Sequence, residues 1–251
     1  MEPQKKSVFY KLVWCAVRLF YPPWTIAGTL PEEASIVVGN HSQAHGPIFS
    51  QLHFPADRVI WCAGQMLSAK EIPDYAYQDF WCDKPRWSKP FYRMLSFVAA
   101  PLAAEVLRNA DTIGVYHDSR ILGTFKQTIA CLQAGKHVII FPECRKGHNQ
   151  IVCQFQENFV DVARLYYKRT GQELLFVPMY LAPRLRTATF GTPIRYDHTA
   201  APAEERTRIC NALMDEITRV AQAMPEHIVV PYPNISKKQY RTNHASEAIL
   251  P

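Results

Sequence analysis

Residues able to move a proton or hold an anion collect at three points of this 251-residue chain, each directly after a short apolar run. Asn40 and His41 follow Ala34-Ser-Ile-Val-Val-Gly39. His117, Asp118 and Arg120 follow Thr112-Ile-Gly-Val-Tyr116, and Glu143, Arg145, Lys146 and His148 follow His137-Val-Ile-Ile-Phe-Pro142. Apolar runs of this length bounded by turn residues read as buried strands. Ligands of open α/β sheets gather outside the carboxyl ends of the strands, so an acid, a base and several cations converge there. Imidazole, with an ordinary pKa of about 6.5, can take a proton from an alcohol. Guanidinium and ammonium groups suit a phosphate.

His41 and His45 stand four residues apart, the spacing that places two metal ligands on one helical face. The residue before a proline is pushed out of the helical region, so Gly46-Pro47 predicts a helix that starts at Pro47, after both histidines. Gln43 also stands where a zinc hydrolase would need a glutamate. The pattern therefore argues against a metal. His41, at a strand end and ahead of a helix over 47–53, is placed near backbone N–H groups that favour an anionic ligand or a developing oxyanion. An ordinary loop histidine is the alternative that this stretch alone leaves open.

The remaining elements must hold these residues in place. Strands are predicted at 34–39, 58–63, 112–116, 137–142, 174–181 and 187–194, and helices at 94–107, 119–133, 157–169 and 204–224. Pro101 interrupts the first of these helices, and Thr170-Gly171 caps the third. Residues 73–93 read as a surface excursion, 143–156 as a polar loop, and the segment after Pro233 as a loosely ordered polar tail. The alternation predicts one α/β layered domain over 25–233 with a mixed, largely parallel sheet flanked by helices.

Hydrophobic residues make up 48% of the chain and charged residues 20%, which supports a buried core and excludes disorder. The net charge of +6 comes without a lysine-rich run. It suits an anionic substrate or membrane surface better than a nucleic acid, whose readers carry denser basic stripes. Seven scattered cysteines with no Cys-x-x-Cys argue for reduced thiols in a cytosolic setting.

Residues 1–24 are read as an interfacial helix and its flank. A secretory signal is rejected, because Pro22-Pro23-Trp24 rather than a small-residue cleavage site follows the apolar stretch. Fifteen helical residues reach about 22 Å, short of the roughly 30 Å hydrocarbon core. At 100° per residue Gln4, Ser7, Lys11 and Arg18 form a narrow polar stripe opposite a wide apolar side, the pattern of a helix lying in a membrane interface. Packing on the protein's own core is the alternative.

Four blocks in order, NHSQAHG (40–46), VYHDSR (115–120), FPECRK (141–146) and FVPMY (176–180), resemble those of the glycerolipid acyltransferase family that includes 1-acyl-sn-glycerol-3-phosphate acyltransferase. The flanking GTLPEEASIVVGNH, ACLQAGKHVIIFPE and TFGTPI are similar as well, so the likeness spans roughly residues 25–195. It implies transfer of a fatty acyl group from acyl-CoA or acyl carrier protein to a lysophospholipid hydroxyl, with no metal or resident cofactor, on the cytoplasmic face of a membrane. His41 would be the general base. Asp118 and Glu143 would complete the catalytic set, and Asn40, Arg120, Arg145 and Lys146 would bind substrate.

Three departures stand out. Gly46 occupies the place of the family's Asp, the carboxylate that orients the imidazole; loss of the equivalent group in a serine protease triad costs roughly 10⁴ in kcat. Cys144 replaces a glycine, and Lys146 an arginine. His45 could accept a hydrogen bond from His41 but cannot offset positive charge on it, so Asp118 is the preferred substitute. A different lysolipid or lipid amine or alcohol acceptor, and a catalytically degenerate lipid-binding protein, are the competing readings.

Overall fold

In the computed structural model, residues 6–77 and 85–245 are described; Gln4, residues 78–84 of the predicted excursion and the last residues of the tail lie outside them. The chain divides into two compact units, residues 1–22 with 59–126, and residues 23–58 with 127–251.

The second unit carries the histidine. Its strands are β1 (Thr25–Ala27), β2 (Ile36–Gly39), β5 (His137–Ile140), β8 (Leu175–Ala182), β9 (Thr187–Phe190) and β10 (Ile194–Arg195), and its helices include α2 (His45–Leu52), α6 (Asp161–Thr170) and α7 (Pro202–Gln222). β2 pairs in parallel with β5 on one side and β8 on the other, and Ile36, Val37 and Val38 are wholly buried. Strands covered on both faces read as continuous apolar runs, which is why IVVG does not alternate. β9 and β10 are antiparallel to β8 and β1 is parallel to β9, giving the expected mixed, largely parallel α/β sheet.

Pro178 lies in the middle of β8, where a proline removes a ladder donor. Its carbonyl accepts from Gly191 N–H on the edge where β9 ends and β10 has not begun. The missing N–H therefore points at a break in the pairing. The same break splits the single strand expected over 187–194. α7 covers β8 with Ile209, Leu213, Met214 and Ile217, all buried. A 3₁₀ turn (Glu157–Val160) precedes α6 where one helix was expected, and Gly171 ends α6 at φ 72°.

Residues 143–156 are not a loop. Glu143–Gly147 and Cys153–Phe155 form an antiparallel hairpin, β6 and β7, paired irregularly at Glu143↔Phe155 and Gly147↔Cys153. The pairing takes few residues and carries Arg145 and Lys146 on an exposed stretch, so no alternation marks it. The tail after Pro233 is also folded in its described part: Ile228 bridges Thr242, a 3₁₀ turn spans Lys237–Gln239, and Asn243 is wholly buried.

The first unit contains α1 (Val8–Phe20), most of β3 (Arg58–Ala63), α3 (Ile72–Ala76), α4 (Lys89–Asn109), β4 (Thr112–Val115) and the start of α5 (Ile121–Gln133). Ser7 caps α1 by accepting from Tyr10 N–H, and its own N–H donates to Asn109 Oδ1. α4 runs unbroken through Pro101 because Phe97 and Pro101 are exposed, so water can serve the carbonyl that the proline leaves without a donor. Its buried face is the small-residue row Ser96, Ala100 and Ala104, packed on Ile72. Phe91, Met94, Phe97, Val98 and Leu102 are exposed, as are Val8, Leu12, Leu19 and Phe20 of α1. No helix among the described residues is long and apolar enough to cross a membrane.

Candidate active site

His41 follows the last residue of β2, and the residues beside it are fixed by side chains rather than by ladder bonds. Asn40 is buried. Its Oδ1 accepts from Leu181 N–H at 2.7 Å, and its Nδ2 donates to Leu181 O at 3.1 Å and to Ser42 Oγ at 2.8 Å. The amide thus extends the β2–β8 pairing by one side chain. Both polar atoms of Asn40, the side chain expected to bind substrate, are engaged in this frame.

Glu143, buried at the start of β6, accepts from His41 backbone N–H at 2.6 Å through Oε2 and from Cys153 N–H at 2.9 Å through Oε1. One carboxylate therefore ties the histidine turn to the β6–β7 hairpin. Burial pushes its pKa up to about 7, against the pull of the two N–H donors, which favour the charged form. Glu143 braces the backbone of His41.

Ser42 and Gln43 take φ 46° and 57°, the left-handed region that costs a non-glycine residue about 1–2 kcal/mol. Both are held by side-chain bonds, Ser42 from Asn40 and Gln43 by donating Nε2–H to Tyr240 Oη at 2.7 Å. The turn returns at once, with Gly46 N–H donating to His41 O at 3.0 Å. A Cβ on Gly46 would lie 2.6 Å from His41 O and 2.8 Å from the Phe141 ring. Gly46 is therefore a close-approach position, and the turn has no space for the carboxylate that the family carries there. α2 begins at His45 rather than Pro47; glycine escapes the clash that keeps other pre-proline residues out of the helix, and Pro47 falls in the first turn, where its N–H is not needed.

The His41 imidazole stands edge-on to Phe141, with centroids 5.3 Å apart, and to Tyr232, at 5.6 Å. Its Nδ1 is shielded from solvent. His45 opens α2, lies tilted 6.5 Å from Trp24, and is held more readily neutral by burial and by the Arg184 charge. Tyr232 and Tyr240 were not singled out from the sequence, and Gln43 only as the residue standing where a zinc hydrolase would need a glutamate. Only the aromatics in an otherwise polar tail could have pointed to the first two.

Arg145 and Lys146 are exposed on β6, two and three residues beyond the bracing glutamate. Asp118 and Arg120 belong to the other unit and engage each other. Arg120 Nη2 is 2.7 Å from Asp118 Oδ2, its backbone N–H donates to Oδ1 at 2.9 Å, and its guanidinium lies 3.8 Å from the Tyr116 ring centroid. Hydrogen bonds from Arg120 pull the Asp118 pKa down to about 2. The carboxylate preferred as a partner for His41 is thus occupied in orienting Arg120.

Among the described residues, the His, Cys, Asp and Glu side chains close enough to share a metal ion are Glu173, Asp197 and His198; His41 and His45 are not in that group. His198 Nδ1 is 2.6 Å from Glu173 Oε1, and its ring stacks on Tyr167 at 4.0 Å.

No protein-family model and no curated protein matches the chain. Among solved structures it is similar to the crystal structure of the 1-acyl-sn-glycerophosphate (LPA) acyltransferase PlsC from Thermotoga maritima. The identity is 16%, the TM-score 0.47, and the match covers 87% of this chain and 79% of that one.

Proposed function

We propose that the protein is a membrane-surface acyltransferase that moves a fatty acyl group from acyl-CoA or acyl carrier protein to the hydroxyl of a lysophosphatidic acid-like acceptor. The observation that carries this reading is the construction of the His41 turn. A histidine at the carboxyl end of a buried central strand is fixed through its backbone by Glu143 and beside it by Asn40, while its ring is left between two aromatic edges. Such preorganisation around one base suits proton abstraction from an alcohol.

With Nδ1 shielded, Nε2 is the nitrogen that meets the acceptor. It takes the hydroxyl proton as the alcohol oxygen attacks the thioester carbonyl. The C–S bond then breaks, the carbonyl re-forms, and the imidazolium returns the proton to the departing thiolate. Arg145 and Lys146, exposed on the hairpin that Glu143 ties to the turn, are the cations for an acceptor phosphate. No histidine-orienting carboxylate at position 46 enters this mechanism.

The membrane side of the reading rests on the first unit. Val8, Leu12, Leu19 and Phe20 of α1 and Phe91, Met94, Val98 and Leu102 of α4 expose more apolar side chain than solubility tolerates without use. Arg18 lies over the Trp14 ring at 5.0 Å, a pairing suited to the headgroup level.

Purified protein given acyl-CoA or acyl carrier protein thioester and vesicles containing lysophosphatidic acid should form the diacyl product, and His41→Ala should lower turnover by at least about 10³-fold. Wild-type turnover no higher than that of His41→Ala would overturn the proposal. Lys146 favours one second reading, a different headgroup, because an ammonium is a point charge where a guanidinium is a fork. A panel of lysolipids and lipid amines separates the two.

A further inference from the structure

The segment after α7 is far in sequence from the histidine, yet it meets the histidine turn at two points. Tyr240 Oη accepts from Gln43 Nε2, and the Tyr232 ring packs its edge on His41. Both contacts fall on or beside the residues with left-handed backbones, Ser42 and Gln43. Strained backbone at a reactive turn persists when its surroundings over-determine it.

The segment is itself anchored at its root. His227 Nδ1 lies 2.7 Å from the Pro225 carbonyl, so Nδ1 carries the proton and Nε2 accepts from Tyr180 Oη at 2.8 Å. His227 N–H donates to Asn243 Oδ1, and Asn243 Nδ2 donates to Ala221 O at the end of α7. Val229 N–H donates to Arg241 O beside the Ile228–Thr242 bridge. The loop between these anchors carries Tyr232 and Tyr240. Its footing is on β8 and α7, the same β8 that Asn40 grips from the other end of the turn.

We propose that residues 226–243 form a clamp that holds the His41 turn in its reactive conformation, with Tyr232 and Tyr240 as positioning residues. The proposal rests on the reading of His41 as the base. Tyr240 touches neither His41 nor a reacting atom; it holds Gln43, and Gln43 sets the path of the chain out of the histidine. Tyr232, like Phe141, packs against the imidazole and limits its swing.

The test uses the full chain. Tyr240→Phe removes the acceptor and keeps the ring; it should lower kcat about five- to tenfold, leave KM for the acyl thioester within twofold, and leave the melting temperature within a few degrees. Gln43→Gly, which takes a positive φ without support, should restore kcat when added to Tyr240→Phe. Tyr232→Phe should retain more of kcat than Tyr232→Ala. Independently of turnover, the His41 Cε1–H NMR resonance should shift or broaden in Tyr240→Phe and return in the Gln43→Gly double variant. Wild-type kcat together with an unmoved His41 resonance in Tyr240→Phe would overturn the clamp, and so would failure of Gln43→Gly to restore both. If wild-type protein transfers no acyl group to any acceptor, the acyltransferase reading fails, and the resonance alone still decides the clamp.

Discussion

β2 and α4 are built from similar side chains and end in opposite environments. Ile36, Val37 and Val38 are sealed between two parallel neighbours, whereas Phe91, Met94, Val98 and Leu102 of α4 stand in the open while Ser96, Ala100 and Ala104 take the buried face. The strand spends its apolar surface on its own unit. The helix packs through its smallest residues and leaves its largest exposed. Apolar surface is thus buried in the strand of one unit and exposed on the helix of the other, and His41 follows the buried strand.

Substitutions that exchange these roles test the contrast. Val37→Asp buries an unpaired charge in β2 and should cost more than about 4 kcal/mol, abolishing cooperative unfolding in a denaturant titration. Gly46→Asp, the change that would restore the family's carboxylate, meets His41 O and the Phe141 ring. It should destabilise by about 1–3 kcal/mol and add no turnover. A gain of activity would mean that the turn opens more readily than its packing indicates.

Glu143→Gln gives up one of two accepted N–H bonds, because an amide has a single oxygen, and should cost about 1–3 kcal/mol. Its effect on pH dependence is separable. The Glu143 carboxyl is raised to about 7, so the native state holds a proton that the unfolded state has released between the ordinary carboxylate range and that value. Its contribution to stability is therefore greatest at acidic pH, falls as pH rises through this window by an amount on the order of 3 kcal/mol, and is constant above it. Glu143→Gln should flatten that segment of a stability-versus-pH curve. The smallest effect belongs to the exposed apolar face of the first unit: on the membrane-surface proposal, Val98→Asp with Leu12→Asp should leave stability within about 0.5 kcal/mol and remove co-sedimentation with anionic vesicles.

Much of the frame was legible because local rules decide it. Apolar runs ending in turn residues marked β2, β3, β4, β5 and β8, and Thr170-Gly171 marked the end of α6. The strand-end rule also led to His41 and Glu143. The β6–β7 hairpin was illegible because it is short, irregularly paired and carries exposed cations, so no period marks it. The hydrogen-bond partners of Asn40 and Glu143 were illegible for a different reason: spacing reports which groups are near a strand end, not which of their atoms are already engaged. Tyr232 and Tyr240 were missed because their contacts join residues about 190 positions apart, and only the folded chain brings them together. Gly46 was legible as a departure, but the crowding that explains it comes from Phe141, a residue of another block.

The side-chain amide of Asn40 has a consequence for measurement. Leu181 N–H, in a strand buried along its whole length, donates to a turn residue and not to a neighbouring strand. Its deuterium exchange is therefore timed by excursions of the turn, while the amides around it wait for the sheet to open. A single peptide near the end of β8 would act as a clock for how often the support beside His41 lets go.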